Sequence, residues 1–109
     1  MSTTTTTIPR FLQIPIARLV RALAPERIVL FGSYAKGMPR PGSDVDLLVV
    51  CRVAAEPWAA RRARQLVASG FPPIDVVLCT PEEAERAGEL RSPFLQSILE
   101  NGATVFRIR

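Results

Sequence analysis

The sequence contains no histidine, and this absence removes a whole group of mechanisms. Histidine is the usual general base near neutral pH and a frequent metal ligand, so Ser/His catalysis, Cys/His catalysis and imidazole-bound metals are excluded. Cysteine is also scarce: Cys51 and Cys79 each end an apolar run, and they lack the spacing of metal ligands. We therefore expect two reduced thiols in a cytoplasmic protein.

Long apolar runs are absent as well. No uninterrupted stretch approaches the roughly 20 residues that span a membrane, so we expect no membrane segment. At 109 residues and 48% apolar content, the chain is large enough for one folded domain and too small for two. We predict a disordered Thr-rich tail over 1–11 and one domain over 12–109. A cleavable transit peptide is the alternative for the Arg-rich start, but the helical spacing of Ile16, Leu19 and Leu23 favours a structural helix.

Aspartate is rare too, and its positions are informative. Only three of the ten acidic residues are aspartates, and all three fall at the start of apolar, strand-like runs: Asp44, Asp46 and Asp75. Asp44 and Asp46 point to the same face of a strand, separated by two residue rises of roughly 3.3 Å each. Carboxylates crowded beside a buried run are costly unless a cation neutralises them. The pattern therefore predicts a divalent cation site.

The periodicity along the chain predicts an α/β fold, a small mixed β-sheet with helices packed on it. We expect, in order, a helix after Pro15, strands over 28–31 and 47–50, a helix over 58–69, a strand over 74–79, short helices starting near Thr80 and Ser92, and an edge strand over 104–108. Arg61, Arg62 and Arg64 lie together on the second long helix, which is typical of a solvated helix face.

Gly32-Ser33 separates the first predicted strand from a predicted short helix over 34–36. Backbone N–H groups at such a turn bind phosphate, and glycine allows close approach. The segment is not a Walker A loop, because Met38-Pro39 stand where that motif requires Lys followed by Ser or Thr. A Gly-Ser pair alone is more often just a turn, so its weight comes from the carboxylates that follow.

The combination of Gly-Ser, ten further residues, Asp-x-Asp and a later strand-start Asp resembles the minimal nucleotidyltransferases of the DNA polymerase β-like superfamily, over about 16–106. The resemblance implies a polymerase β-like fold in which Asp44 and Asp46 hold two Mg²⁺ ions, which Mn²⁺ can replace. Asp75 would be the third ligand and the general base. ATP phosphates would be bound by four residues: Gly32, Ser33, Lys36 and Ser43. Tyr34 and Lys36 stand where such proteins often have Arg.

The same resemblance implies a biological role. Stand-alone members of this size resemble antitoxins that transfer AMP from ATP to a hydroxyl, expected to be a tyrosine, of a partner HEPN-domain toxin. Two alternatives stay open: a catalytically idle antitoxin that acts by binding alone, and a transferase acting on a small molecule or an RNA end. The net charge of +4 suits nucleotide phosphates, an acidic partner or nucleic acid equally. We do not expect direct nucleic-acid binding.

Overall fold

The computed structural model describes residues 3–4, 8–37, 42–68, 72–89 and 92–108. Residues 1–2 and 5–7 of the predicted tail and the predicted helix end at Ser69-Gly70 lie outside these ranges. None of the helices within the described ranges has the length and apolar character needed to cross a membrane.

The described residues form four α-helices, five strands and two short 3-10 helices, Arg10–Leu12 and Arg52–Ala55. The helices are α1 Gln13–Leu23, α2 Ala59–Val67, α3 Pro81–Glu85 and α4 Pro93–Asn101. The strands are β1 Thr3–Thr4, β2 Arg27–Phe31, β3 Val45–Val50, β4 Ile74–Cys79 and β5 Ala103–Ile108. The predicted elements are therefore present, except for the short helix predicted over 34–36. Helix α1 begins two residues before Pro15, which lies in its first turn.

The strands form one mixed sheet in the order β1-β5-β2-β3-β4, which confirms the predicted fold class. The β3–β4 pair is parallel and the other pairs are antiparallel. The prediction of β5 as an edge strand was wrong, because β5 pairs with β2 on one side and with Thr3–Thr4 on the other. Thr3–Thr4 forms this extra strand, β1. The low complexity of the sequence around it predicted a tail and gave no sign of a strand.

One face of the sheet is covered by α1 and α2. Side chains alternate between faces along each strand, so every second strand residue points toward these two helices. In α2, Ala59, Ala63 and Val67 are buried at helical spacing, whereas the arginines predicted on its outer side are exposed. The larger core lies here; its buried members are Leu12, Ile16, Leu19, Leu23, Ile28, Leu30, Val45, Leu47, Val49, Cys51, Ala63, Val67, Val105 and Phe106.

The opposite face is only partly covered, by the two short helices α3 and α4. Its smaller core contains Val29, Leu48, Val50, Cys79 and Ile98. Gly102 ends α4 and lets it approach β2 closely, because a Cβ at this position would collide with Val29 and with the backbone of Ile98. The predicted site residues lie on this face, next to the small helices.

Candidate functional site

The three aspartates come together where β2 ends and β3 and β4 begin. Asp46 is the direct partner of Phe31 across the β2–β3 pair and of Asp75 across the β3–β4 pair. Neighbouring strands lie about 4.8 Å apart, and residues in register point to the same face. Asp44 immediately precedes β3, two residues before Asp46. The parallel pairing therefore places a third carboxylate beside the Asp-x-Asp pair.

The electrostatics of Asp46 reflect this crowding. Asp46 is half-buried, whereas Asp44 and Asp75 are exposed. Burial raises the pKa of Asp46 above its usual value, and the negative charges of Asp75 and then Asp44 raise it further. Ionisation of Asp46 is thus unfavourable in the isolated protein, and a bound cation would relieve that cost.

The Gly-Ser turn lies directly against this carboxylate. Gly32 has φ +76°, and a Cβ built on it would lie only 2.5 Å from Asp46 Oδ2. Glycine is therefore required at this position for two reasons: the backbone is left-handed, and the carboxylate of Asp46 leaves no space for a Cβ. A ligand held by the backbone of Gly32-Ser33 would lie beside the acidic cluster.

The segment after Gly32 is a hydrogen-bonded turn over 33–37, so the prediction of a short helix over 34–36 was wrong. The Gly32 carbonyl accepts from the N–H groups of Ala35 (3.1 Å) and Lys36 (3.3 Å), and Gly37 N donates to Tyr34 O (3.2 Å). Gly37 has φ +71°, which ends the turn before a helix propagates. No helix dipole is therefore available at this turn, and only its local backbone groups can serve an anion.

Of the remaining predicted binding residues, Ser33 and Lys36 lie within the turn and Ser43 lies shortly before β3. Ser33 and Ser43 are half-buried, and Lys36 is exposed. The Tyr34 ring packs edge-on against Phe11, with ring centroids 5.8 Å apart. The sequence did not predict that Tyr34 packs against Phe11.

A cavity of about 220 Å³ adjoins the turn and adds residues that the sequence analysis missed. Gly32 and Lys36 line one wall, and α4 supplies the other through Phe94, Ser97 and Asn101. Phe94 packs edge-on against Phe31, with centroids 5.9 Å apart, which fixes α4 over the end of β2. The signal for Ser97 and Asn101 was available, because polar residues four apart share one face of a helix.

The carboxylates suit a divalent cation by their chemistry, since Mg²⁺ prefers oxygen ligands and keeps several from water or phosphate. Within the described ranges, no three His, Cys, Asp or Glu side chains converge closely enough to hold an ion by themselves. The donor set therefore fits an ion that arrives with further ligands, such as the oxygens of a triphosphate.

The part of the chain that contains this arrangement matches a known protein family. The nucleotidyltransferase domain model matches residues 16–104, which include the Gly-Ser turn and all three aspartates. The chain belongs to the nucleotidyltransferase domain family.

The nucleotidyltransferase domain is also similar to a solved structure, described as the crystal structure of a toxin–antitoxin with AMP-PNP. The TM-score is 0.58 at 27% sequence identity, and the match covers 87% of this chain and 73% of that chain. Comparison with curated proteins gave no significant match.

Proposed function

We propose that this nucleotidyltransferase transfers AMP from ATP to a hydroxyl group, expected to be a tyrosine, of a partner HEPN-domain toxin and thereby acts as its antitoxin. The observation that carries the proposal is the placement of Asp44, Asp46 and Asp75 together beside the Gly32 turn. The family match supports nucleotidyl transfer as the reaction class. The similarity to a toxin–antitoxin structure with AMP-PNP supports the adenine nucleotide and the protein partner.

The nucleotide would be held at the end of β2. Gly32 and Ser33 would contact the triphosphate through the turn backbone and the Ser33 hydroxyl, and Ser43 would contribute from the loop before β3. Lys36 lines the adjoining cavity and would supply a positive charge to the same group. These contacts would hold the triphosphate next to the carboxylates, where the incoming hydroxyl oxygen can bond to the α-phosphorus while the bond to the β-phosphate breaks and pyrophosphate leaves.

Asp44, Asp46 and Asp75 would hold Mg²⁺, as two ions that Mn²⁺ can replace. Bound Mg²⁺ would neutralise negative charge on the phosphates and lower the pKa of the attacking hydroxyl. The raised pKa of Asp46 in the isolated chain supports this role, because burial and then the charges of Asp75 and Asp44 disfavour its ionised form, and a bound cation would favour that form.

Asp75 would accept the proton from the attacking hydroxyl. It is exposed at the start of the edge strand β4, so a group on another molecule can reach it. The chain contains no histidine that could take this role. Positioned general bases contribute about 10²–10⁴-fold to rate, and loss of a metal ligand at the same position adds to the defect.

The acceptor would come from the partner protein. The carboxylates lie on the face that α3 and α4 only partly cover, and Asp44 and Asp75 are exposed there. A separate toxin molecule would complete this open site, in a cytoplasmic complex. A small-molecule acceptor or an RNA end would have to bind without that enclosure.

Stand-alone proteins of the family that this chain resembles are commonly encoded beside a HEPN-domain protein, and the product of the neighbouring gene is therefore the acceptor to test. The test is transfer of label from α-labelled ATP with Mg²⁺ to that product, using wild type, Asp75→Asn and Glu100→Gln. Glu100 is an exposed acid on α4 outside the carboxylate cluster, so its variant controls for loss of one negative charge. We expect labelling by wild type and Glu100→Gln, and a loss of at least about 10³-fold with Asp75→Asn.

Affinity for the partner should change little in Asp75→Asn, because a docking surface is much larger than one side chain. Normal labelling by Asp75→Asn would contradict the role of Asp75. If wild type labels nothing but still neutralises the toxin, the protein is an antitoxin that acts by binding alone. Labelling of an RNA end or a small molecule, but not of the protein, would contradict the proposed acceptor.

A further inference from the structure

The far end of the same sheet face carries two arginines in direct opposition. Arg27 begins β2 and is the cross-strand partner of Arg107 in β5. Both lie on the α3–α4 side of the sheet, as do Val29 and its partner Thr104. Arg27 is four residues from Phe31, which pairs with Asp46, so about 13 Å of strand separates the arginines from the carboxylates. The pair is therefore distinct from the candidate nucleotidyltransferase site.

This opposition costs stability, because like charges directly across an antiparallel pair repel each other. Burial lowers the pKa of Arg27, and the charge of Arg107 lowers it further. Arg27 Nε also donates a hydrogen bond to Thr104 Oγ1 at 3.0 Å, which fixes the plane of the guanidinium group. A pre-oriented and partly desolvated guanidinium beside a second one is the donor arrangement that oxyanions prefer.

The two arginines line a cavity of about 600 Å³, a size typical of small-molecule sites. Its apolar wall comes from β3, α3, α4 and β5: Val50, Pro81, Ala84, Leu99 and Ile108. Glu26 and Glu85 also line it. Among the described residues, no ion pair within 4 Å joins Glu26 or Glu85 to either arginine, so neither glutamate neutralises them at that distance.

We propose that this cavity is a second ligand site, which binds a phosphate group, free or carried by a small molecule, between Arg27 and Arg107. A phosphate carries nearly two negative charges at neutral pH and matches two guanidinium groups better than a carboxylate does. The two glutamates repel a second anion but accept hydrogen bonds from hydroxyl or amino groups, and the apolar wall can contact the rest of a phosphorylated molecule. The proposal does not depend on which acceptor the nucleotidyltransferase uses.

The test is an amide NMR titration of the isotope-labelled full chain with inorganic phosphate and, separately, with AMP, both in EDTA. The chelator prevents metal-dependent binding at the carboxylates. We expect saturable shifts centred on Arg27, Val50 and Arg107, with Asp46 and Asp75 unaffected. Tighter binding of AMP would identify a phosphorylated small molecule as the ligand, and equal binding would identify inorganic phosphate; both results support the site.

Variants decide whether the arginine pair is responsible. Arg107→Gln should weaken phosphate binding about ten-fold or more, because a charge-assisted bond is lost. Arg61→Gln makes the same charge change on exposed α2, across the sheet, and should leave binding unchanged. The melting temperature of Arg107→Gln should stay the same or rise, since the substitution relieves the repulsion between the two arginines.

Three results would overturn the proposal. One is the absence of saturable shifts at millimolar phosphate. Another is equal weakening in Arg107→Gln and Arg61→Gln, which would indicate a general charge effect. The third is a set of shifts centred on the turn after Gly32, which would place the phosphate at the nucleotidyltransferase site instead.

Discussion

At the scale of single residues, Asp46 connects the fold to the proposed chemistry. It pairs with Asp75 on one side, touches the Gly32 turn on the other, and is the only one of the three aspartates that is half-buried. Side chains that serve a buried cationic ligand are expected to reduce the stability of the isolated protein. Asp46 should therefore carry a measurable cost when no cation is bound.

Asp46→Asn should raise or preserve the melting temperature at neutral pH in EDTA. The pKa of Asp46 is raised in the folded state. The side chain therefore contributes fully to folding stability below its unfolded-state pKa near 3.8, and this contribution is lost as the pH rises through its folded-state pKa. The gain of Asp46→Asn over wild type should therefore be larger at pH 7 than near pH 3.5. Differential scanning calorimetry across this range measures it, with Glu100→Gln as the charge control. A large fall in melting temperature at pH 7 would instead make Asp46 a structural residue.

Gly32 and Gly37 form a matched pair for testing the close approach of the turn to Asp46. Both have positive φ, but a Cβ on Gly32 meets Asp46 Oδ2, whereas a Cβ on Gly37 meets nothing within 4 Å. Gly37→Ala should cost about 1 kcal/mol from backbone strain alone, and Gly32→Ala should cost more. Urea unfolding gives both values. Gly32→Ala should also weaken Mg²⁺–ATP binding, measured by calorimetry. If the two variants lose equal stability and equal affinity, the close approach of Gly32 to Asp46 has no special role.

At the scale of elements, the two short helices beside the sites begin differently. The Thr80 side chain of α3 accepts from Glu83 N at 3.1 Å, and Glu83 Oε1 accepts from Thr80 N at 2.9 Å, a complete capping box. Ser92 occupies the same position before α4 but makes no side-chain capping bond. The sequence predicts a helix start at both places, and only the structure separates them.

Thr80→Ala should therefore destabilise the protein by about 1 kcal/mol, because it removes the hydroxyl that accepts the hydrogen bond from Glu83 N in the first turn of α3. Ser92→Ala should change stability by less than half of that, since no capping bond is lost. Chemical denaturation of the three proteins under one set of conditions checks the difference. Equal losses of stability in Thr80→Ala and Ser92→Ala would show that the hydrogen bonds of the capping box add nothing beyond the general preference for Thr or Ser at a helix start.

At the scale of the whole molecule, the sheet separates two cores, and each contains one thiol. Cys51 belongs to the core beneath α1 and α2, and Cys79 to the core beneath α3 and α4. Burial raises the pKa of both thiols, and that of Cys79, with further contributions from Glu83 and Cys51, reaches about 12. Both are free and buried, as expected for reduced cysteines.

Both thiols should consequently resist alkylation at pH 8 until the whole domain unfolds, because the reactive thiolate is scarce and shielded. Mass spectrometry after a short iodoacetamide pulse, with and without denaturant, gives the extent of modification. Ala60→Cys, an exposed position on α2, provides a thiol that should react at once in the native state. Rapid native labelling of Cys79 alone would show that the α3–α4 side opens independently of the rest.

The sequence by itself predicted most of the helices and strands and which carboxylates belong to the candidate site. Short apolar runs rich in strand-forming residues predicted β2, β3 and β4, and the spacing of Ala59, Ala63 and Val67 predicted α2. The spacing from Gly-Ser to Asp-x-Asp carried the resemblance to a nucleotidyltransferase. These features are local: strand and helix periods act over a few residues, and so they can be read without knowing which segments meet.

Only the tertiary structure decided which distant residues became neighbours. The parallel register of β3 and β4 places Asp75 against Asp46, and the pairing of β2 with β5 places Arg27 against Arg107. The Thr3–Thr4 strand and the position of α4 beside the Gly32 turn were equally invisible in the sequence. Strand register depends on the packing of both faces and on the connections between strands, so no local pattern fixes it.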